Sequence, residues 1–176
     1  KTQSGNWVSP YINNFTPNVF LPVGKDITSE YNFIHEEYFN DKLCKKFFNE
    51  LEIGTPVEFD YIRQIILKRY ISSSGEVDID DDVLVNDINY LLSYFINNRN
   101  KGDELISLLN NKLLLVSKAN YLCQPSDLFI SNRYLQCLYN NDKSLFVNDK
   151  FYVDIIDKFG YEQFLLFIKL LGVKET

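Results

Sequence analysis

The feature that most constrains this chain of 176 residues is one order of residues that occurs twice. Trp7-Val8, then Pro17, then Phe20-Leu21 is answered by Tyr121-Leu122, then Pro125, then Phe129-Ile130. Phe33-Ile34-His35-Glu36-Glu37-Tyr38-Phe39 runs against Phe146-Val147-Asn148-Asp149-Lys150-Phe151-Tyr152 without a gap. Both read as apolar pair, polar cap, acid, charged residue, aromatic pair. The stretches also close alike, Phe47-Phe48-Asn49-Glu50-Leu51-Glu52-Ile53 against Phe167-Ile168-Lys169-Leu170-Leu171-Gly172-Val173, with Glu52 where the second stretch has Gly172. The physical reading is a pair of short strands feeding a cap, then a helix whose aromatic stripe packs on those strands. The expected fold is therefore helix-rich α+β. Strand-plus-helix units are expected at 1–54 and 112–176, joined by a helical connector at 55–111.

The local signals fill in this frame. Pro10, Pro17 and Pro22 break the apolar pairs of the first thirty residues into short extended pieces that suit edge strands or hairpins. Phe39, Leu43, Phe47 and Leu51 recur every four residues and predict a helix from about Glu36 to Leu51, packed by that stripe. Thr55-Pro56-Val57-Glu58 predicts a helix start with Thr55 at the N-cap and Glu58 reaching back to it. Phe59, Ile62, Ile66 and Tyr70 give the apolar stripe, and Ser72-Ser73-Ser74-Gly75 ends it in a loop. A third helix follows the acidic run Glu76 to Asp82, with Leu84, Ile88, Leu91, Leu92 and Phe95 on one face. Asp81 and Asp82 lie at its positive end. Shorter helices are expected from Asp103 to Leu109, from Ser131 to Leu138 and from Asn148 or Asp149 to Lys158. Strand pieces are expected at Leu113–Val116, Tyr121-Leu122 and Leu128-Phe129-Ile130. A last helix from Tyr161 to Leu171 stops at Gly172.

Composition excludes several classes. A chain that is 45% apolar and 15% aromatic buries a real core and is not a disordered tail. The net charge of −6 argues against nucleic acid, whose phosphates need clustered Lys and Arg. The compact basic groups are Lys45-Lys46 and Arg63, Lys68 and Arg69, the latter flanked by acids. No apolar run approaches the roughly 20 residues of a membrane span. Cys44, Cys123 and Cys137 are odd in number, form no CxxC, and accompany a single histidine, His35. They read as reduced thiols in a reducing compartment rather than as a zinc or disulfide framework. A cytoplasmic location is expected, and the sequon Asn14-Phe15-Thr16 is read as a chance match. The chain starts at Lys1, lacks Met, and has one Ala against 19 Asn. It reads as an excised piece of a longer protein.

Chemical motifs fail one by one. The glycines permit neither GxGxxG nor GxxxxGK[ST], so no phosphate cradle is written, and GxSxG is absent. Asp78-x-Asp80-x-Asp82 matches the start of a calcium loop, but Val83 stands where that loop needs Gly and Asn89 where it needs Glu. A solvated helix start is the better reading. Glu36-Glu37 point about 100° apart on a helix and make poor acid–base partners. His35 and Cys44 are nine residues apart and do not face each other locally. No catalytic, cofactor-binding or metal-ligating residue is assigned. Trp7 and Tyr11, set among prolines, are the candidates for contact with a protein partner, together with Asp78 and Asp80.

Lys1-Thr2, Gly5, Trp7-Val8 and Pro10, the element Pro125-Ser126-Asp127-Leu128-Phe129-Ile130, and the ending Phe164 to Val173 form a set of signatures. Together they resemble the repeated regions of large sacsin-like proteins, which carry an N-terminal GHKL-type ATP-binding domain. The resemblance covers most of the chain and implies a chaperone-like or scaffold protein in which this segment lies downstream of the ATPase. None of that family's nucleotide-binding motifs falls on a residue here. The expected function is a non-catalytic interaction or structural module of a larger chaperone-like ATP-binding protein, with protein as its partner. The alternative is an enzyme whose site assembles from scattered residues such as His35, Cys44 or the acidic loop.

Overall fold

The computed structural model describes residues 1–13, 16–22, 31–70 and 79–175. The expected loop at 72–75, Asp78 and the sequon residue Asn14 lie outside them. The fold is helix-rich α+β and divides into two compact units, Lys1–Ile65 and Ile66–Thr176. The segment 55–111, read as a helical connector, lies partly in each.

In the first unit, extended pieces pair through single bridges. Thr2 meets Ile34 antiparallel, Tyr11 meets Pro17 antiparallel, and Phe20 meets Phe33 parallel. The nearby prolines cannot donate to a ladder, which keeps the pairing short. Three helices follow: α1 (Glu36–Phe39), α2 (Lys42–Glu50) and α3 (Glu58–Tyr61). Val19, Ile34 and Ile53 are buried together, and Val8, Leu21, Tyr38, Phe48 and Leu51 pack against them.

The single helix expected over 36–51 is two. Asp41 adopts extended backbone, and its Oδ1 accepts the amides of Leu43 and Cys44 at 2.9 Å each. A short acidic side chain that caps a new helix start outcompetes continuation of the old one. The stripe expected to pack does so only at its Leu51 end. Leu43 is 80% and Phe47 56% exposed, while Phe48 and Leu51 cover the cluster. The cap expected at Thr55 is also displaced. Val57 is the N-cap of α3, and the Asp60 carboxylate accepts its amide at 2.9 Å, the part expected of Glu58. The stripe Phe59, Ile62, Ile66 and Tyr70 is buried as expected, along a π-helical turn at Ile62–Ile66 and then α4 (Leu67–Arg69).

The second unit is built on α5 (Asp81–Asn97), α6 (Gly102–Leu109), the antiparallel pair β1 (Leu115–Val116) and β2 (Leu122–Cys123), α7 (Arg133–Leu138), α8 (Val153–Phe159) and α9 (Tyr161–Leu170). Leu84, Ile88, Leu91, Leu92 and Phe95 of α5 are all buried. Its cap is Asp80, whose carboxylate accepts the Asp82 amide at 2.9 Å, while Asp81 and Asp82 fill the first turn. Asn132 rather than Ser131 caps α7, accepting the Leu135 amide at 2.8 Å. The Ser131 hydroxyl is taken up by Lys118 and Gln136. Phe129 bridges Phe146 and Lys174, both in parallel, and Ser117 bridges Val147 antiparallel. The Tyr152 hydroxyl accepts the buried Val116 amide at 2.9 Å.

The same internal bonds occur at corresponding positions of each unit. Ile34 N–H donates to Phe20 carbonyl at 3.0 Å, and Val147 N–H to Phe129 carbonyl at 3.1 Å. His35 N–H donates to Lys1, and Asn148 N–H to Val116. Leu21 N–H donates to Gly54, and Ile130 N–H to Lys174. The Thr2 amide bonds to Asn6 around Gly5 (φ 85°), and the Ser117 amide bonds to Tyr121 around Asn120 (φ 63°). These tight turns set Trp7-Val8 against Leu122-Cys123, one residue later than the sequence comparison aligned them. Tyr121 matches Trp7 in aromatic character but Asn6 in backbone position.

Asp87 is the buried charge of the second unit. Arg69 Nη1 donates to it at 2.5 Å and the Tyr70 hydroxyl at 3.1 Å. Burial raises the Asp87 carboxyl above its ordinary range, while Arg69 and Tyr70 pull it back. A raised folded-state value means that ionisation of Asp87 weighs against folding as pH rises, and Arg69 offsets that weight. Arg69→Met is expected to cost about 2–3 kcal/mol at pH 7, below the value for a fully buried pair because the Arg69 side chain is 30% exposed. In urea melts the cost should shrink as pH falls, because the raised Asp87 carboxyl takes up its proton in the folded state before it does so in the unfolded chain.

Candidate functional site

In the first unit, the helix α2 and the loop carrying Trp7 enclose a groove with room for about 280 Å³. Val19, Ile34 and Ile53 form its floor, and Val8, Tyr38, Phe48 and Leu51 its walls. Trp7 and Phe47 stand at the rim, 80% and 56% exposed. Among the described residues, Lys1 is the only charged side chain in the lining.

Each wall has a local cause. The Asp41 cap restarts the helix so that Cys44, Phe47, Phe48 and Leu51 all reach the groove. The C-terminus of α2 is closed by Glu52 in the left-handed region, φ 54°, with Ile53 N–H returning to Phe48 carbonyl at 3.0 Å. That bond swings Ile53 under the groove. Gly172 holds the same place at the end of α9, φ 107°, with Val173 N–H to Ile168 carbonyl at 3.1 Å. The Tyr11 hydroxyl donates to the Leu51 carbonyl and ties the Pro10 loop to the same helix end. On the other side, Thr2 is buried and its hydroxyl donates to the Asn6 carbonyl at 3.1 Å, which fixes the turn leading to Trp7.

Of the residues named from sequence as partner contacts, Trp7 is at the groove rim. Tyr11 acts from behind, as a brace for the wall. Asp80 is a helix cap in the second unit, and Asp78 lies outside the described residues. Phe47 falls on the apolar stripe that periodicity assigns to the core. The signal that could have placed it at the surface is Asp41, an N-cap type residue in mid-pattern.

The residues considered for catalysis serve local ends. His35 caps α1, its Nδ1 accepting the Glu37 amide at 3.4 Å. Burial raises the Cys44 thiol, and the Asp41 carboxylate beside it raises it further. Burial also raises the Cys123 thiol. A raised thiol carries little thiolate at neutral pH and makes a poor nucleophile. Among the described residues, no group of three or more His, Cys, Asp or Glu side chains could hold a metal ion. No helix among them is long and apolar enough to cross a membrane. The groove itself offers shape, apolar contact and one cation, which is the chemistry of holding an apolar segment. No family model, curated protein or solved structure matches the chain.

A non-glycine residue in the left-handed region carries a backbone cost that glycine does not. Glu52→Gly should therefore stabilise the first unit by about 0.5–1 kcal/mol in denaturant melts, with the groove unchanged.

Proposed function

We propose that this chain is a non-catalytic interaction module of a larger chaperone-like, ATP-binding protein of the cytoplasm, and that its first unit holds a protein segment in the groove beneath Trp7 and Phe47. The observation that carries this reading is the groove. Trp7 and Phe47 stand exposed together at the rim of a continuous apolar floor, and a contiguous apolar surface of that kind marks an interaction site where scattered exposed residues do not. Aromatic rims around an apolar floor are the usual anchors of protein interfaces. A single lysine in the lining suits a peptide far better than a polyanion. The matched backbone bonds of the two units support reading them as two copies of one module. The resemblance to sacsin-like repeats supports placing such modules downstream of an ATPase. The occupant belongs to another module of the same protein or to a client.

A photo-activatable residue at position 43, next to Phe47 and well exposed, tests this in the intact parent protein. Illumination should give one defined cross-linked protein segment, and Phe47→Glu should abolish it. The same label at Tyr134, equally exposed but outside the groove, serves as the reference. A position-43 pattern indistinguishable from that of position 134 would contradict the reading.

A further inference from the structure

The second unit contains the same frame with a helix along it, which covers the Phe167 end and leaves a cavity of about 400 Å³ at the Leu122 end. Leu122 and Phe151 correspond to Trp7 and Tyr38, Val116 to Lys1, and Phe167 to Phe47, by the matched bonds described above. Asp81 and Leu84, at the start of α5, line one cavity with Val116, Leu122 and Phe151. Phe95, near the end of α5, packs its ring 5.5 Å from that of Phe167. So α5 runs from the Leu122 end to the Phe167 end, and Phe167 is fully buried beneath it. In the first unit no described helix covers the corresponding face, and Phe47 is 56% exposed. One substitution across the frame is also telling. Where the second unit has Val116 beside the acidic first turn of α5, the first unit has Lys1.

We infer that the groove of the first unit receives an amphipathic helix of a partner protein, in the direction that α5 takes in the second unit. Its acidic first turn lies at Lys1 and Trp7, and an aromatic anchor one residue type like Phe95 lies on Phe47. This rests on the reading of the groove as a holder of protein segments and adds the form, polarity and charge of the segment. The helix supplies its own backbone hydrogen bonds, which an apolar groove cannot supply. A carboxylate at its N-terminus is favoured both by its own dipole and by Lys1.

Trp7 is the only tryptophan, so its emission reports on the groove alone. The probe is a synthetic peptide with the sequence Asp80 to Asn97, which contains no tryptophan, stapled to hold it helical. Its reference is the same composition with two internal prolines, which cannot form a helix. The helical peptide should shift Trp7 emission to the blue and saturate. Phe47→Glu should weaken it by about tenfold or more, and Lys1→Glu by about threefold. A spin label at the peptide's N-terminus should broaden the Trp7 indole resonance more than a label at its C-terminus. Preference for the proline peptide, an unchanged Trp7 signal, or broadening from the C-terminal label would each overturn the helix or its direction. A defined cross-link from position 43 would still leave the groove reading standing in those cases, and its absence would remove both. Circular dichroism of each variant confirms that it is folded before binding is read.

Discussion

Each unit hangs from one parallel contact between two phenylalanines, Phe20 with Phe33 in the first and Phe129 with Phe146 in the second. That contact brings two extended segments together although neither is long enough to form a lasting ladder by itself. The residue after the second phenylalanine then donates back to the first, and the next one donates to Lys1 in the first unit and to Val116 in the second. Three segments distant in sequence are locked by single bonds, so side-chain burial has to supply the rest. It is supplied by the apolar residue beside each bridge, Val19 and Ile34 or Leu128 and Val147, all buried. The closing residue, Ile53 or Val173, is delivered under them by a left-handed turn. A helix placed on this frame has one face committed to the floor, and its neighbouring face is left for something else.

The two units differ in what that something is. In the second, α5 supplies it within the chain, with Leu84 at one end and Phe95 at the other. In the first, the neighbouring face of α2 meets solvent with Leu43 and Phe47. The difference between two similar frames thus comes down to whether a covering helix is part of the same unit. The proposal of a docking groove rests on that contrast more than on exposure alone, since single exposed apolar residues are common on any protein.

Much of the frame was legible in the sequence because apolar pairs beside prolines can form little except short extended bridges. The α5 stripe was legible because five apolar positions agree on one helical face over 17 residues. The helix break at Asp41 was not, because periodicity at intervals of four runs straight through it and only the backbone reveals that its carboxylate caps two amides. Thr55 and Asp60 offered competing ways to satisfy the same helix start, and local spacing could not rank them. The groove was illegible for a different reason. Trp7, set among prolines, reads as a contact residue, but Phe47 and Leu43 are types that ordinarily mark a core, and no described helix of the first unit covers them. Glu52 in the left-handed region was the reverse case, a residue whose type argues against the turn it makes.

The central claim is that the helix face carrying Phe47 is open in the first unit, while the matching face at Phe167 is covered by α5 in the second. The most direct measurement is the relaxation of aromatic ring resonances by a soluble paramagnetic agent. The ring of Phe47 should relax strongly, while that of Phe167, fully buried under α5, stays protected. Equal protection of the two rings would contradict the claim, since it would mean that the groove of the first unit is already filled by the chain itself.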